Sequence, residues 1–306
     1  MRPLTAISSG LLLAACLLAT GASAQSGGSE GLSPTLSAIK SAHAVRLGYR
    51  ESSPPFSFLD QANRPIGYSL ELCEAIVEEI GVEVDDPNLR IDYVKVTSDD
   101  RIDAVLQNKI DLECGSTTAN SERGKRVAFS PLMFVAGTKL MVPKASSVQQ
   151  LTDLKGKTIV VTKGTTNEQA VQAADKKLSL GLNIAVGADH EQSYQMLVDG
   201  KADAFATDDI LLSGLIVRHK SQDKFRVTGD YLSYDPYGIM FRKGEPQLAA
   251  VVERTFRKLG SNHDLVPLYN KWFIARMPTG EKMNVPISLQ LEEAFKAMDD
   301  SASANN

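Results

Sequence analysis

The stretch from residue 158 to residue 186, "TIVVTKGTTNEQAVQAADKKLSLGLNIAV", changes its hydrophobic pattern twice. The β-branched run at 158–162 predicts a buried strand, the helix-forming residues at 166–177 predict a helix, and the apolar run at 184–186 predicts a second strand. The intervening turn at 163–166, "KGTT", supplies a glycine and two hydroxyls that can cap the helix. This order of elements predicts a parallel βαβ unit.

The same alternation of strands and helices continues in both directions from this unit. Towards the N-terminus the patterns predict strands at 45–49, 91–96 and 110–114, and helices at 69–80 and 99–108. Towards the C-terminus they predict helices at 192–199 and 209–219, and strands at 202–206 and 225–227. Gly81 is predicted to end the helix at 69–80. The chain therefore contains two α/β copies, and we expect each to form a mainly parallel sheet flanked by helices.

The two copies share a weak internal repeat. The segments "NKIDLECGST" (108–117) and "GKADAFATDD" (200–209) both carry Lys-x-Asp before a predicted strand. Their alignment places Ser116 and Asp208 at equivalent strand ends. Because ligands of open α/β sheets bind beyond the carboxyl ends of the strands, we expect one cleft between the copies with polar side chains from both.

Two extended segments connect the copies, "FVAGTKLMV" at 134–142 and "YDPYGIMFRKG" at 234–244. If both segments cross between lobes, the chain leaves the first lobe, builds the second and returns, and the two crossings form a hinge. The expected division is 36–136 plus 235–298 for lobe 1 and 137–234 for lobe 2. Helices at 253–259, 265–273 and 288–298 are assigned to lobe 1, and 299–306 is expected to be a disordered tail.

Residues 1–24 have the pattern of a secretory signal peptide. Arg2 is their one charged residue, an apolar run covers 11–18, and Ala22-Ser23-Ala24 forms a cleavage signal. A lipoprotein cleavage box ending at Cys16 is the alternative, but the apolar run continues beyond that cysteine. Both readings predict an extracytoplasmic protein in the periplasm, with a flexible segment at 25–35 before the fold.

Charge and cysteine content limit the class of protein further. The formal charge of -4 becomes -5 when the signal peptide and its single arginine are removed, which argues against a nucleic-acid or anionic membrane partner. No later segment has the ~18 consecutive apolar residues of a membrane-spanning helix. Cys73 and Cys114 remain after cleavage, and they could form a disulfide or stay as two buried thiols.

The matches to catalytic and metal-binding motifs lack the neighbouring residues or secondary structure that those motifs require. The G-x-S-x-G match at 27–31 has no strand before it and no helix after it. The P-loop match ending at Gly156-Lys157-Thr158 fails because Leu151 occupies the position of its first glycine. The chain's histidines share no metal-ligand spacing: His43, His190, His219 and His263. We therefore expect no metal, no cofactor and no catalysis.

The predicted strand ends do carry side chains that bind anions. Taken singly, each of them has an ordinary structural role, as a surface arginine, a helix cap or a turn residue. Together they supply three arginines, several hydroxyls and one acid from separate loops to one region: Arg50, Ser98, Arg101, Ser116, Thr117, Thr118, Arg123, Thr165, Thr166, His190 and Asp208. Their convergence predicts a single anion-binding cleft.

Four stretches resemble a known family. "RLGYRESSPPFSF…GYSLELCEAI", "TSDDRIDAVLQNKIDLECGSTTANSER", "VVTKGTTNE" and "ADAFATDDILL" are similar to the periplasmic glutamate/aspartate-binding proteins of amino-acid ABC transporters. These proteins belong to the type II periplasmic binding protein superfamily, solute-binding family 3. The resemblance covers essentially all of the mature chain. It implies a two-lobed α/β fold with two crossing hinge segments and capture of the ligand by hinge closure.

The resemblance also implies a role for each candidate residue. The α-carboxylate of the ligand is assigned to Arg123, Thr118, Thr165 and Thr166, and its ammonium to Asp208 and Ser116, with Thr118 beside them. The side-chain carboxylate is assigned to Arg50, Arg101, Ser98 and His190. The family's cysteine pattern does not include Cys73, so the pairing of Cys114 stays open.

The count of charges supports an acidic ligand independently of the resemblance. Glutamate or aspartate brings two carboxylates for the three arginines and one ammonium for Asp208, taken as the one acid of the pocket. A neutral side chain would leave Arg50 and Arg101 buried without a partner, at a cost of several kcal/mol. We therefore expect a monomer that delivers L-glutamate or L-aspartate to an ABC permease. A sensor module and a dehydratase of the cyclohexadienyl type, which would need a free carboxylate as general acid, are the alternatives.

Overall fold

The computed structural model describes residues 31–303. The predicted signal peptide at 1–24, the alternative lipid anchor Cys16 and the segment up to residue 30 lie outside the described residues, as do residues 304–306. Within the described range, no helix combines the length and the apolar character needed to cross a membrane.

The elements alternate along the chain as the patterns predict. The helices of the described residues are α1 Pro34–Ala42, α2 Tyr68–Val84, α3 Arg101–Leu106, α4 Thr166–Leu178, α5 His190–Val198, α6 Asp209–Arg218, α7 Pro246–Ser261, α8 Leu265–Phe273 and α9 Leu289–Ser303. The strands are β1 Ala44–Tyr49, β2 Ser52–Ser53, β3 Ser57–Leu59, β4 Pro65–Ile66, β5 Arg90–Lys95, β6 Leu112–Glu113, β7 Val127–Phe129, β8 Phe134–Ala136, β9 Thr138–Pro143, β10 Thr158–Thr162, β11 Asn183–Gly187, β12 Ala204–Asp208, β13 Phe225–Thr228, β14 Asp235–Tyr237 and β15 Met240–Arg242.

Two five-stranded sheets have the same topology. The first has the order β5-β1-β6-β15-β7, and the second has the order β11-β10-β12-β9-β13. In each sheet the second strand pairs in parallel with both neighbours, and the fourth strand is antiparallel to both of its own. Each sheet is therefore mixed, with four strands in one direction and the fourth strand against them, and the predicted two-lobed α/β architecture is confirmed. We call the lobe of the first sheet lobe 1 and that of the second sheet lobe 2.

The antiparallel strand of each sheet is the one that follows a crossing between the lobes. Strand β9 comes directly after β8, and β15 directly after β14. The strands β8 and β14 pair with each other, with Ala136 opposite Asp235 and Phe134 opposite Tyr237. The two extended segments predicted as crossings thus form a two-stranded hinge, which we call the hinge pair.

Burial on both faces explains why strand β10 has no polar face. In β10, Ile159 and Val161 pack in one hydrophobic cluster, while Val160 packs in another. Successive side chains of a strand point to opposite faces, so helices must cover both faces of this sheet. The run "TIVVT" lacks a polar face for that reason.

Helix α2 departs from the prediction at its C-terminal end. It continues through Gly81 to Val84, and Asp85 ends it with a left-handed φ of 57°. The expectation that Gly81 ends the helix is wrong. A Cβ at Gly81 would lie 2.8 Å from the carbonyl oxygen of Asp86, so the glycine permits the chain to fold back against the helix.

Both ends of the described chain are more helical than expected. Helix α1 was not predicted, and it begins inside the segment 25–35 that was expected to be flexible. The carboxylate of Glu245 fixes its start, because it accepts hydrogen bonds of 2.8 and 2.7 Å from the backbone N–H and the hydroxyl of Thr35. Helix α9 extends to Ser303, beyond the predicted end at residue 298 and into the segment expected to be a disordered tail.

Cys73 and Cys114 form a disulfide, one of the two states that the sequence left open. The sulfurs are 2.14 Å apart and the Cα atoms 6.2 Å apart. Cys73 lies on α2 and Cys114 directly follows β6, so the bond ties the first long helix to the strand that leads to Ser116. Both residues are fully buried in the core of lobe 1.

Replacing both cysteines by serine should lower the stability of the protein. The disulfide joins residues 41 positions apart, and closing a loop of that length stabilises the folded state by about 3–4 kcal/mol in the chain-entropy treatment. Urea unfolding of Cys73→Ser/Cys114→Ser should show this loss, and reduced wild type should match the variant. A variant within about 0.5 kcal/mol of oxidised wild type would contradict the assignment.

Candidate functional site

A small cavity lies between the carboxyl ends of the two sheets, with lining residues from both lobes. Its lining consists of Arg101, Ser116, Thr118, Thr165, Thr166, Asn167, His190, Asp208 and Leu211. Strands β6 and β12 occupy the same position in their sheets; the chain after β6 leads to Ser116, and β12 ends at Asp208. The remaining candidates, Arg50, Ser98 and Arg123, are buried beside residues of this lining. The structure therefore brings all the predicted site residues together.

Arg50 directly follows β1 and is only 1% exposed. Its backbone N–H donates a 2.8 Å hydrogen bond to the hydroxyl of Ser57 on β3. Its Nη2 donates to the hydroxyl of Ser98, while Nη1 has no hydrogen-bond partner. The loop after β1 thus buries the guanidinium with part of its hydrogen-bonding capacity unused.

Arg101 and Arg123 are the other two buried arginines of the site. Arg101 begins α3, is 2% exposed, and its Nε has no hydrogen-bond partner. Arg123 lies in a 3₁₀ turn and donates to the carbonyl oxygen of Thr118 at 3.0 Å and to that of Gly164 at 3.3 Å. Since Gly164 belongs to lobe 2, Arg123 bridges the lobes.

Burial makes the charged form of these three arginines less favourable, because it removes the water that stabilises the charge. It lowers the pKa of Arg50 to about 10 and that of Arg123 to about 9, and the charge of Arg101 adds to both shifts. Burial also lowers the pKa of Arg101 itself. Within residues 31–303, no ion pair involves any of the three. Buried guanidinium groups without a bonded counter-charge favour an anionic ligand.

Lobe 2 contributes the N-terminal turn of α4 and a histidine. Thr165 caps the helix, because its hydroxyl accepts from the backbone N–H of Glu168 at 3.1 Å. The hydroxyl of Thr166 lies 3.2 Å from that of Thr118 in lobe 1. His190 contacts the hydroxyl of Ser53 at 3.1 Å. Burial, followed by the charges of Arg50 and Arg101, lowers the pKa of His190 well below its ordinary value, so the ring is neutral at pH 7.

Asp208 ends β12 and already accepts a hydrogen bond on each carboxylate oxygen. Asn167 Nδ2 donates to Oδ1 at 2.8 Å, and the hydroxyl of Tyr237 donates to Oδ2. Burial, with the neighbouring charge of Asp235, raises the pKa of Asp208 to about 7. A cation held against this carboxylate would favour its ionised form.

Asp208 is the one acid that lines the cavity, but it is not the one acid buried near the arginines. Glu113 and Asp235 are also buried close to the arginines and influence their charge. Glu113 Oε2 accepts from the hydroxyl of Thr117 at 2.6 Å, and Asp235 Oδ1 accepts from that of Thr118 at 3.1 Å. Three carboxylates thus balance three guanidinium groups. The preference for an anion comes from unpaired donors and not from net charge.

Sequence reasoning also missed neutral residues of the site. Asn167 and Leu211 line the cavity, and Tyr237 reaches Asp208 from the hinge pair. Glu113 and Asp235 were detectable in principle, since each is an acid inside an otherwise apolar or extended segment. Asn167 and Leu211 carry no comparable signal, because their contributions depend on how the helices α4 and α6 face the cavity.

The fold and the site together define a two-lobed ligand-binding protein. The chain belongs to the bacterial extracellular solute-binding proteins, family 3, whose sequence pattern matches residues 45–275. The predicted family is thereby confirmed.

Relatives and solved structures agree with this membership. An L-glutamate/L-aspartate-binding protein of Pseudomonas aeruginosa is 38% identical over 273 residues, which cover 89% of this chain and 90% of that protein. A glutamate/aspartate import solute-binding protein of Escherichia coli K12 is 34% identical over 302 residues, or 98% of each chain. An ancestral arginine-binding protein, solved bound to arginine, is 28% identical with a TM-score of 0.68, over 76% of this chain and 98% of that one.

The raised pKa of Asp208 should appear in the pH dependence of stability. A carboxyl whose folded pKa is raised stabilises the fold while it is protonated, and this contribution disappears as the pH rises through about 7. Between about pH 5 and pH 8, wild type should lose about 2 kcal/mol of unfolding free energy relative to Asp208→Asn. Urea unfolding of both proteins across this range measures the difference. A difference that stays constant with pH would contradict the assignment.

Proposed function

We propose that this protein captures L-glutamate, L-aspartate or both in the cleft between its lobes. The observation that carries the proposal is the burial of three guanidinium groups, without an ion pair in the described chain, around one small cavity lined by both lobes. Family membership and the relatives named for glutamate and aspartate support it. As a periplasmic binding protein, it would act as a monomer and deliver the ligand to the membrane permease of an ABC importer.

The proposed contacts follow the chemistry of the ligand. Arg123 and the N-terminal turn of α4, with Thr165 and Thr166, would hold the α-carboxylate, since guanidinium and backbone N–H groups are the usual partners of this anion. The ammonium would donate to Asp208, Ser116 and Thr118. Thr118 moves here from its expected place at the α-carboxylate, because its hydroxyl already donates to Asp235. Ser116 Oγ is buried and has no hydrogen-bond partner, as expected of a ligand contact.

The side-chain carboxylate would contact Arg50, Arg101, Ser98 and His190. The unpaired atoms Arg50 Nη1 and Arg101 Nε offer two guanidinium groups to one carboxylate. The neutral ring of His190 can add a neutral hydrogen bond. An amide in place of this carboxylate would leave charged donors unsatisfied, which costs more than a lost neutral hydrogen bond.

The site, more than the fold, selects the charge of the ligand. The ancestral relative solved with arginine has the same fold, so the architecture alone does not specify an anion. A cationic side chain would meet the unpaired donors Arg50 Nη1 and Arg101 Nε where it needs acceptors, and their charges would oppose it at short range. The acidic ligand is therefore inferred from Arg50, Arg101 and Arg123.

We infer that the ligand is bound and not transformed. A buried carboxyl with a pKa of about 7 is what a general acid requires, and Asp208 has this property. Both of its oxygens, however, accept hydrogen bonds from Asn167 and Tyr237. We therefore assign Asp208 to the ammonium. Turnover of a small carboxylic acid by the purified protein would overturn this reading.

Capture would occur by closure of the two lobes about the hinge pair. We propose 36–136 with 235–298, and 137–234, as the two moving bodies. Backbone contact between the lobes is close at two glycines of lobe 2. A Cβ at Gly214 would lie 2.2 Å from the carbonyl oxygen of Pro54, and a Cβ at Gly164 would lie 2.7 Å from the Cα of Asp99. A ligand that contacts both lobes would favour the closed state over the open one.

Two arginine variants should have different consequences for binding. Arg123→Ala removes the partner of the α-carboxylate, which every amino acid carries, so it should abolish binding of all amino acids. Arg101→Ala should weaken L-glutamate by about a hundredfold while affecting L-glutamine much less. Isothermal titration calorimetry measures both. Unchanged glutamate affinity in either variant would contradict the proposed contacts.

Gly214→Ala should weaken ligand binding without weakening the fold. The new methyl group would meet Pro54 across the lobes, whereas alanine is the better residue inside a helix by up to about 1 kcal/mol. We expect at least about a tenfold loss of glutamate affinity with unchanged or increased stability in urea. Ser213→Ala, on the same helix, is the control that should keep wild-type affinity. Equal affinity in both variants would contradict closure at this contact.

A further inference from the structure

Asp235 is a buried carboxylate to which neither the family resemblance nor the proposed contacts give a role. It begins β14 of the hinge pair and is 1% exposed. The hydroxyl of Ser233 donates to its Oδ2. The hydroxyl of Thr118 donates to its Oδ1 at 3.1 Å. Asp235 thus lies one hydrogen bond away from a residue that lines the ligand cavity.

This bond fixes the direction of the Thr118 hydroxyl. A hydroxyl has one proton and two acceptor positions, and a carboxylate oxygen only accepts. The Thr118 hydroxyl uses its one proton in the hydrogen bond to Asp235. In the 3.2 Å contact between Thr118 and Thr166, the Thr166 hydroxyl must therefore be the donor. Thr118 then has one acceptor position left for the ligand and no proton to offer.

The backbone holds Thr118 in this orientation. Ala119 donates its N–H to the carbonyl oxygen of Pro236 at 2.7 Å, and Gly238 donates to that of Thr117 at 3.2 Å. These bonds flank Thr118 on both sides and join its segment to the strand that carries Asp235. An acceptor fixed by two hydrogen bonds of its neighbours loses little conformational freedom when a ligand binds.

We propose that Asp235 is a positioning residue that makes the site selective for an amino group, by holding the Thr118 hydroxyl as an acceptor. An ammonium has three protons to donate, so it can reach Asp208 and Thr118 together. A hydroxyl has one, and a methylene has none. Dicarboxylic acids that lack the amino group are rejected on this account. The inference rests on the proposed function, since it concerns the ammonium of the same ligand.

The test compares L-glutamate with L-2-hydroxyglutarate, in which a hydroxyl replaces the ammonium. Calorimetry gives the ratio of the two dissociation constants for each variant. Asp235→Asn keeps the shape but can donate as well as accept, so it no longer fixes the proton of Thr118. We expect the preference for glutamate to fall about tenfold in this variant, mostly through weaker glutamate binding.

Two further variants separate positioning from a general structural role. Ser233→Ala removes a hydrogen bond from the other oxygen of Asp235 and should leave the preference unchanged. Thr118→Val alone should reduce the preference for L-glutamate over L-2-hydroxyglutarate. Adding Asp235→Asn to this variant should reduce it no further, because Asp235 acts through the Thr118 hydroxyl. Thr118→Val also tests the assignment if Asp235→Asn does not fold.

The outcomes distinguish this inference from the proposed function. A wild type that binds no acidic amino acid overturns both. A wild type that binds L-glutamate, with the same preference in Asp235→Asn, overturns the role of Asp235 alone. An unchanged preference for L-glutamate in Thr118→Val would also overturn that role. So would a further tenfold loss of the preference when Asp235→Asn is added to Thr118→Val. A tenfold loss caused by Asp235→Asn when Thr118 is present, with no further loss when it is added to Thr118→Val, supports that role.

Discussion

The burial of three guanidinium groups between two lobes is the constraint on which the site depends. Removing such a cation from water costs several kcal/mol unless an anion with good geometry replaces the water. Within the described chain, Arg50, Arg101 and Arg123 form no ion pair, and Arg50 Nη1 and Arg101 Nε have no hydrogen-bond partner. Glu113, Asp208 and Asp235 balance the formal charge from nearby without bonding to the arginines. We infer from this that the cleft binds a ligand that brings carboxylates of its own.

The fold creates this constraint because both lobes use the same sheet topology. Equivalent strands, β6 and β12, lead to Ser116 and Asp208, so each lobe supplies part of one polar surface. The hinge pair also takes part in the site. Tyr237 donates to Asp208, Asp235 accepts from Thr118, and the ring of Tyr237 lies 5.1 Å from that of Phe56 in the aromatic core of lobe 1. The strands proposed as the hinge thus also orient the groups assigned to the ammonium.

The sequence predicted the fold class because the hydrophobic patterns reflect burial directly, as "TIVVT" does for a strand covered on both faces. The predictions from sequence were wrong where a contact between residues distant in sequence determines where a helix begins or ends. Helix α2 passes Gly81 because the chain returns over that glycine, and α1 forms because Glu245 caps it. The candidate residues were found because arginine and hydroxyl side chains at strand ends are conspicuous. Asn167, Tyr237 and Asp235 were missed because their roles come from hydrogen bonds between segments that the sequence does not place together.

The central claim is that the cleft recognises the charge of the ligand's side chain and not its shape. L-glutamate and L-glutamine have nearly the same shape but differ in that charge, so calorimetric titration of the wild-type protein with both tests the claim most directly. We predict that L-glutamate binds at least about a hundredfold more tightly, because only a carboxylate satisfies Arg50 and Arg101 together. Equal affinities, or tighter binding of L-glutamine, would contradict the account.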